Sequence, residues 1–382
     1  MTDLARPATR RQIPLAQPNV GELEEELVLQ VLHSDVLSMG PFVEEFEQGI
    51  AALAGHRYGI AVSSGTAGLH LAIRALGIGP GDEVVTTPFS FVASANCVLF
   101  EGATPVFADI EEETLGLDPE RAEAALTTRS RAFLPVDVFG HPSQLDQLAS
   151  LAASRQQRVV EDACEALGSS VAGRPVGSWG DISVFAFYPN KQITTGEGGM
   201  VVTSDDGMAR GMRSMRNQGR DDDGTWLRHV QLGFNYRLDE MSAALGVAQL
   251  RRRAELKAGR DRVVAAYGQR LAGRDWLRLP RPLPQAEVDW FLYVVRLDAR
   301  IDRDRLIGQL EAAGVASRPY FSPIHLQPFY RERFGHRPGD FPVTERVAST
   351  TLALPFSSRL TDDEIDRVCD ALVDSARVQG VA

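Results

Sequence analysis

The sequence predicts an α/β protein with a large domain built on a mostly parallel sheet and a smaller C-terminal α+β domain. Two observations carry this prediction. The chain has 382 residues, which is too long for one small core and favours two domains. Short apolar runs alternate with helical patterns between residues 58 and 202, as in sheets whose parallel strands are joined by helices. We expect a lead-in over residues 1–14, the large domain over 15–255 and the small domain over 256–382.

The first half of the chain supplies the elements of the large domain. Leu23, Leu27 and Val31 recur at helical spacing, and they open a series of segments with the same periodicity. The further helices are predicted at 42–53, 66–76, 119–125 and 145–154, with another at 92–100. The buried strands are predicted at 58–62, 83–87, 104–108, 132–136, 158–160, 182–187 and 199–202.

The second half predicts the smaller domain. A long helical pattern covers residues 239–271, and we expect it to break near Gly259, because glycine is a poor helix former. A capping box, Thr361 with Glu364, starts a terminal helix. Between them we expect a turn-rich segment at 280–284, strands at 290–297 and 315–318, and a helix at 303–313.

The composition narrows the possible functions. Forty Lys and Arg against 51 Asp and Glu give a net charge of −11, which argues against a dedicated nucleic-acid binder. Cys97, Cys164 and Cys369 form no C-x-x-C pair and no zinc-type cluster, so reduced thiols and no metal site are expected. We find neither a signal peptide over 1–18 nor an apolar stretch of the roughly 20 residues that span a bilayer. A cytoplasmic protein without nucleic-acid or membrane partners is therefore expected.

A strand-to-helix junction at residues 61–68 is a candidate phosphate site. Its Ser, Thr and Gly residues offer hydroxyls and free backbone N–H groups at the positive end of a helix dipole. The segment has neither the Gly-Lys-Ser/Thr of a P-loop nor a G-x-G-x-x-G fingerprint. An ordinary helix N-cap would explain the same residues equally well.

Two further strand ends carry a carboxylate and an amine. Asp162 follows a buried strand, where α/β folds bind their ligands, and it could hold a proton on a ring nitrogen. Taken alone, it is better interpreted as the N-cap of a following helix. Lys191 lies between the aromatic run 185–188 and the Thr- and Gly-rich run 192–199, a setting that suits an amine nucleophile. A phosphate site, a carboxylate and an amine in this order fit pyridoxal phosphate.

These motifs are similar to those of the DegT-like sugar aminotransferases, pyridoxal-phosphate enzymes with the aspartate-aminotransferase type of fold. The likeness runs from Ser38 to Pro355, and the ordered set of motifs is far more specific than any one of them. Its markers are Ser63-Ser-Gly-Thr-Ala67, Gly81-Asp-Glu-Val84, Glu161-Asp-Ala163, Lys191 with Thr195-Gly-Glu-Gly-Gly199, and Gly233-Phe-Asn-Tyr-Arg237.

The resemblance implies roles at the cofactor. Lys191 would be the Schiff-base lysine and would shuttle the proton between cofactor and sugar. Asp162 would pair with the pyridine nitrogen, and Thr66 and Ala67 would bind the phosphate. Phe91 falls where the family stacks an aromatic ring on the cofactor, although taken alone it would be an ordinary core residue.

The resemblance also implies contacts with substrate and with a second subunit. Asn235 falls where a neighbouring subunit donates an Asn to the phosphate, which implies a homodimer with shared active sites. His325 lies where the family has a His near the substrate, although alone it would be an unremarkable loop histidine. Arg220, Arg237 and Arg318 are candidates for the substrate's diphosphate or carboxylate, because Arg suits bidentate anion binding. Each of the three would otherwise be an ordinary surface or interface arginine.

Two positions depart from the family's usual pattern. Many relatives have a Ser that contacts the phosphate five residues before the lysine, where this chain has Ala186. Many also have a Gln near the cofactor's O3′ three residues after the aspartate, where this chain has Glu165. Glu165 and the run 193–199 resemble the perosamine-synthase-like members, which aminate a 4-keto sugar. A dehydrase branch has His in place of the lysine, so Lys191 argues against that branch.

The resulting hypothesis is a transaminase that uses pyridoxal 5′-phosphate to move an amino group from L-glutamate to a nucleotide-linked 4-keto-6-deoxy sugar, a reaction of polysaccharide biosynthesis. One alternative is a transaminase acting on a 3-keto sugar or a keto-inositol. Another is a non-catalytic regulator that binds the cofactor or a sugar on the same fold. Such a regulator would normally carry a DNA-binding module or lack the lysine.

Overall fold

The computed structural model describes residues 12–142, 144–221 and 225–381. A seven-stranded sheet forms the centre of the molecule, and a three-stranded sheet lies in its C-terminal part. Residues 1–11 of the expected lead-in lie outside the described ranges, and the predicted domain limits stay a prediction.

The strands of the central sheet are β1 to β5, β8 and β9, and the other six described strands form two three-stranded sheets. Their bounds are β1 Tyr58–Val62, β2 Glu83–Thr86, β3 Thr104–Phe107, β4 Ser130–Leu134, β5 Arg158–Asp162, β6 Ser170–Val171, β7 Arg174–Pro175, β8 Ile182–Ala186, β9 Gly199–Thr203, β10 Leu277–Arg278, β11 Ala286–Glu287, β12 Tyr293–Leu297 and β13 Thr351–Leu354.

The helices of the described ranges pack on both faces of the sheet and around the C-terminal part. Their bounds are α1 Glu22–Leu32, α2 Pro41–Ala54, α3 Gly65–Ala75, α4 Ala93–Phe100, α5 Pro119–Ala124, α6 Leu145–Arg155, α7 Asp206–Arg216, α8 Glu240–Arg251, α9 Arg253–Leu271, α10 Arg303–Ala312, α11 Pro328–Phe334, α12 Pro342–Thr350 and α13 Asp362–Val378. None of these helices combines the length and the apolar character needed to cross a membrane.

The central sheet confirms the predicted α/β class. Its strand order is β1-β9-β8-β5-β4-β2-β3, and all neighbours are parallel except β9, which runs antiparallel to both β1 and β8. Successive side chains of one strand point to opposite faces, so Ile60 and Val62 pack in one core while Ala61 packs in the other. A sheet covered on both faces needs the continuous apolar runs that this sequence has.

Two expectations in the second half were wrong. The helical pattern 239–271 breaks at Arg252, between α8 and α9, and not at Gly259. Gly259 lies inside α9, where a Cβ atom would come within 2.7 Å of the Ser358 Cβ, so it serves a close approach instead of a break. The expected strand at 315–318 is reduced to single bridges, Val315 with Ile13 and Arg318 with Ala353.

The register of the sheet brings three chain segments to one edge. The parallel strands β1, β5 and β8 end there, and β9 begins there because it runs the other way. Gly199, the first residue of β9, therefore pairs with both Val62 and Ala186, while Asp162 pairs with Val184. The end of β1, the end of β5 and the loop between β8 and β9 consequently meet at the carboxyl edge, where α/β sheets bind ligands.

Candidate active site

A cavity of about 440 Å³ lies at this edge of the sheet. Five residues that the sequence singled out line it together: Thr66, Phe91, Asp162, Glu165 and Lys191. Side chains from β5, from the β8–β9 loop and from the start of α3 thus converge on one space, which is of a size typical for small-molecule sites.

The start of α3 forms one wall. Ser64 is the N-cap, and its Oγ accepts a hydrogen bond from the backbone N–H of Ala67 at 3.1 Å. The N-cap interpretation is therefore confirmed, yet Ser64 and Thr66 also line the cavity, so capping and ligand binding are compatible. Ala67 itself is buried and does not line the cavity; its N–H is already used by the cap. Ala186 does line the cavity and offers no hydroxyl, so Ser64 and Thr66 are the hydroxyls at this wall.

Asp162 is held by two donors. Its Oδ2 accepts a hydrogen bond from Ser94 Oγ at 2.6 Å, and its Oδ1 accepts one from the backbone N–H of Cys164 at 3.2 Å. In the described part of the chain no helix begins directly after Asp162, because a turn follows β5, so its interpretation as an N-cap was wrong. The carboxylate is 4% exposed, and its two donors fix its orientation toward the cavity.

Lys191 and Glu165, which both line the cavity, form an ion pair. Lys191 Nζ lies 3.3 Å from Glu165 Oε1, and the backbone N–H of Phe139 donates to Glu165 Oε2 at 2.9 Å. Burial raises the pKa of the Glu165 carboxyl, while the nearby Lys191 acts in the opposite direction. Burial also raises the pKa of the Cys164 thiol well above its usual value, so this cysteine is no thiolate nucleophile.

Aromatic rings form the remaining walls. Phe91 is 62% exposed, so the alternative that it is an ordinary core residue was wrong. Phe291 and Tyr320 also line the cavity, and the Phe291 ring centroid lies 3.9 Å from Lys191 Nζ. Sequence reasoning missed Ser94, Phe291 and Tyr320. Each lies far in sequence from Asp162 and Lys191, and none belongs to a motif.

The charges around the cavity are unbalanced. Asp162, Glu165 and Glu197 contribute carboxylates, whereas Lys191 is the one cationic side chain in the lining formed by the described residues. An anionic ligand would gain favourable contacts there from the N-terminus of α3 and from Lys191. Further positively charged groups would have to come from outside this lining.

The remaining candidates do not line this cavity. Asn235 is exposed and forms a β-bridge with Asn217, whose side-chain oxygen accepts a hydrogen bond from Arg237 Nη1 at 2.9 Å. The Arg220 guanidinium lies 5.6 Å from the ring centroid of Trp226. The roles predicted for Asn235, Arg220 and Arg237 therefore stay predictions.

His325 and Arg318 are also placed elsewhere in the C-terminal part. His325 is fully buried, its Nε2 lies 3.1 Å from Glu345 Oε1, and burial lowers its pKa. Arg318 Nη1 donates to the backbone oxygen of Ser317 at 2.7 Å. Because neither lines the cavity, their predicted substrate contacts stay predictions as well.

Comparison with known proteins agrees with this geometry. The family model of the DegT/DnrJ/EryC1/StrS aminotransferases matches residues 18–373. The chain belongs to this family. The resemblance inferred from the motifs, the fold and the prediction of an aminotransferase are therefore confirmed.

The chain is similar over nearly its whole length to one named enzyme and to two solved structures. The GDP-perosamine synthase of Caulobacter vibrioides is 40% identical over 378 residues, which cover 97% of this chain and 99% of the relative. The structure of DesV from S. venezuelae in complex with a ketimine intermediate is 34% identical with a TM-score of 0.89, covering 96% of this chain and 99% of that one. The PMP form of the putative sugar aminotransferase Spr1654 from Streptococcus pneumoniae is 26% identical with a TM-score of 0.92, covering 96% and 98%.

Proposed function

We propose that this aminotransferase moves the amino group of L-glutamate to a nucleotide-linked keto sugar, at C4 of a 4-keto-6-deoxy sugar, with pyridoxal 5′-phosphate as cofactor. One observation carries the proposal. The Lys191 amine, the Asp162 carboxylate and the N-terminus of α3 meet in a single cavity. The assignment of a 4-keto sugar rests on Glu165 and on the GDP-perosamine synthase of Caulobacter vibrioides as a relative.

The residues of the cavity fit pyridoxal phosphate. When bound, this cofactor supplies an electron sink and carries the amino group between the two substrates. Asp162 would pair with its ring nitrogen, and Thr66 with the start of α3 would hold its phosphate. The cavity also contains an acceptor without a partner: Asn190 Oδ1 is buried and makes no hydrogen bond with the described residues. Buried polar atoms are normally satisfied, so a ligand with a donor suits this wall.

The chain's own residues account for binding and proton handling. Lys191 Nζ donates a hydrogen bond to Glu165 and is the group that would carry the proton to the sugar carbon. Ser94 keeps the Asp162 carboxylate in place. Phe91 and Tyr320 line the cavity and would exclude water around the reacting atoms.

The charge imbalance supports a shared site in a homodimer. Both the cofactor phosphate and a nucleotide diphosphate are anions, yet three carboxylates and a single lysine line the cavity within the described ranges. Asn235 is exposed and does not line the cavity of its own chain, so we propose that it serves the cavity of a second copy. Arg220, Arg237, Arg318 and His325 would then contact the substrate from segments outside this lining.

The decisive experiment is the visible spectrum of the purified protein with pyridoxal phosphate, before and after addition of L-glutamate. We expect a yellow protein that bleaches with glutamate and regains its colour with a nucleotide-linked 4-keto sugar. Lys191→Ala should still bind the cofactor but lose turnover by at least about 100-fold, since general acid–base groups contribute on that scale.

Three results would contradict the proposal. A colourless protein would contradict the assignment of pyridoxal phosphate as cofactor. A yellow protein that does not bleach would contradict the assignment of L-glutamate as donor. Colour recovered only with a 3-keto sugar or with a nucleotide-free keto-inositol would replace the proposed acceptor.

A further inference from the structure

The amine of Lys191 lies between two buried walls of different chemistry. Glu165 Oε1 is 3.3 Å from Nζ on one side, and the Phe291 ring centroid is 3.9 Å from it on the other. The Lys191 side chain is only 12% exposed. A carboxylate and an aromatic face both attract an ammonium group, and both act more strongly where water is excluded.

The two walls are tied to each other through the residue next to the lysine. Gln192 Nε2 donates to the backbone oxygen of Glu165 at 2.5 Å and to that of Asp289 at 2.8 Å. Arg260 donates from Nη1 to the backbone oxygen of Gln192 and from Nη2 to Asp289 Oδ1, each at 2.8 Å. Gln192, Arg260 and Asp289 are all buried, so these four hydrogen bonds hold Glu165 at a set distance from the segment that carries Phe291.

The Glu165 wall is itself immobilised. Its second oxygen accepts the backbone N–H of Phe139 at 2.9 Å, which prevents the carboxylate from turning away from the amine. The other titratable groups of the lining are Asp162, Glu197, Cys164, Tyr188 and Tyr320. None of these is cationic, so no positive side chain of the described lining repels the Lys191 ammonium.

We propose that Glu165 and Phe291 form a seat for the Lys191 ammonium whenever this amine is not bonded to the cofactor, which makes Phe291 a positioning residue. The need for such a seat rests on the proposed function, because a transaminase releases its lysine in every catalytic cycle. A free lysine side chain has many rotamers accessible to it. The seat keeps the released amine beside the reacting atoms.

The composition of the chain makes the seat directly measurable. Lys191 and Lys257 are the two lysines of the whole sequence. Lys257 lies in α9, pairs with Asp261 at 2.6 Å, and belongs to no wall of the cavity. Acylation by a water-soluble succinimidyl ester can therefore be followed at each lysine by peptide mass spectrometry, with Lys257 as the internal reference.

The test measures the ratio of Lys191 to Lys257 labelling at pH 7 in the full chain without cofactor or substrate. Because the seat holds the amine against Glu165 and Phe291 and away from the reagent, Phe291→Leu and Glu165→Gln should each raise this ratio roughly three- to tenfold. Phe291→Tyr keeps the aromatic face and should restore the ratio of the unmodified chain.

The matched control is Phe321→Leu. Phe321 lines the same cavity, but its ring stacks on Phe139 at 5.4 Å, so its loss opens the cavity without removing the seat. An equal rise in Phe321→Leu and Phe291→Leu would mean that a wider cavity alone gives the reagent access to Lys191. That result would overturn the proposal. So would unchanged labelling in both Phe291→Leu and Glu165→Gln; the Glu165 variant decides the matter if Phe291→Leu does not fold. Because no cofactor is used, a colourless protein would defeat the proposed function without altering this result.

Discussion

The Asp162 carboxylate, at the end of β5, is held by two serine hydroxyls from α4 and the loop before it. Ser94 Oγ donates to Asp162 Oδ2 at 2.6 Å, and Ser90 Oγ lies 2.8 Å from Ser94 Oγ. A hydroxyl has a single proton, so with Ser94 donating to the carboxylate, Ser90 donates to Ser94. The orientation of the carboxylate is consequently set by α4 and the loop before it, and not by β5 alone.

We expect Ser94→Ala to weaken pyridoxal phosphate binding by about tenfold or more. A hydrogen bond to a charged group contributes about 1.5–3 kcal/mol, and its loss would let the Asp162 carboxylate rotate. The dissociation constant can be measured by quenching of protein fluorescence during titration with the cofactor.

Ser90→Ala is the control for this prediction. It removes the donor to Ser94 but leaves the bond between Ser94 and Asp162 in place, so we expect a much smaller effect. Equal losses in both variants would show that the pair acts by packing.

Residues differ in how far the sequence predicts them. Asp162 and Lys191 could be assigned because each sits at a recognisable strand end within a motif. Ser94 and Phe291 could not, because their contacts with Asp162 and Lys191 form only when distant segments are brought together. Periodicity and local spacing contain no information about such contacts.

Two glycines of α9 show how an element is shaped by its surroundings. Gly259 lies against Ser358, where a Cβ atom would come within 2.7 Å of the Ser358 Cβ and 3.0 Å of its backbone oxygen. Gly268, in the same helix, has no such neighbour within 4 Å. Propensity alone treats both as helix breakers, which is why the break was expected at Gly259 and not at Arg252.

Opposite effects on stability are expected from the same substitution at these two sites. Gly268→Ala should raise the free energy of unfolding by roughly 0.5–1 kcal/mol, because alanine is the better helix former. Gly259→Ala should lower it, because the new methyl group must displace backbone atoms of Ser358 and overpacking costs about 1–3 kcal/mol.

Chemical denaturation of the two variants beside the unmodified chain gives both values. A stabilised Gly259→Ala would mean that Ser358 can move freely. A destabilised Gly268→Ala would mean that its surroundings are tighter than the structure shows.

At the scale of the whole molecule, the site is short of positive charge. The described lining holds three carboxylates, Asp162, Glu165 and Glu197, beside Lys191. Asn235 lies exposed on a segment that is bridged to Asn217, and it does not belong to this lining. A second copy that brings Asn235 to the cavity would supply an amide donor for an anionic ligand and would account for the exposure of Asn235, as in symmetric dimers whose sites lie at the subunit interface.

Mixing two inactive variants tests this arrangement. Lys191→Ala lacks the amine and Asn235→Ala lacks the shared contact, so a mixed dimer regains one complete site. Random exchange at equal concentrations should restore about a quarter of the original activity. The measurement is turnover after subunit exchange, compared with each variant alone.

Native mass spectrometry can confirm that subunits have exchanged. If the mixture is then no more active than the average of the separate variants, Asn235 does not contribute to a shared site. Gln231→Ala offers a control on the same segment, because its side chain donates to Gly211 of its own chain at 3.1 Å. In a mixture with Lys191→Ala, we expect activity in proportion to the fraction of subunits that carry Lys191.

The general architecture was predictable because it depends on order along the chain. Alternating apolar runs and helical patterns predicted the parallel sheet, and the motifs at its strand ends predicted which segments meet. The helices α11 and α12 and the strand β13 were not anticipated, because their short, partly polar segments acquire their conformation by packing against the rest of the molecule. The reversed direction of β9 was likewise invisible in its own five residues.

That reversal governs the order in which the protein can assemble during synthesis. β1 lies at the edge of the sheet, and β9, about 140 residues later, is its single strand neighbour in the described sheet. Until residues 199–203 have left the ribosome, β1 has no partner, and the start of α3 that follows it has no fixed place beside the lysine loop. Contacts of such long sequence separation are slow to form and leave a strand edge open in the meantime. The growing chain thus keeps this strand edge open until just before the proposed cofactor site can form.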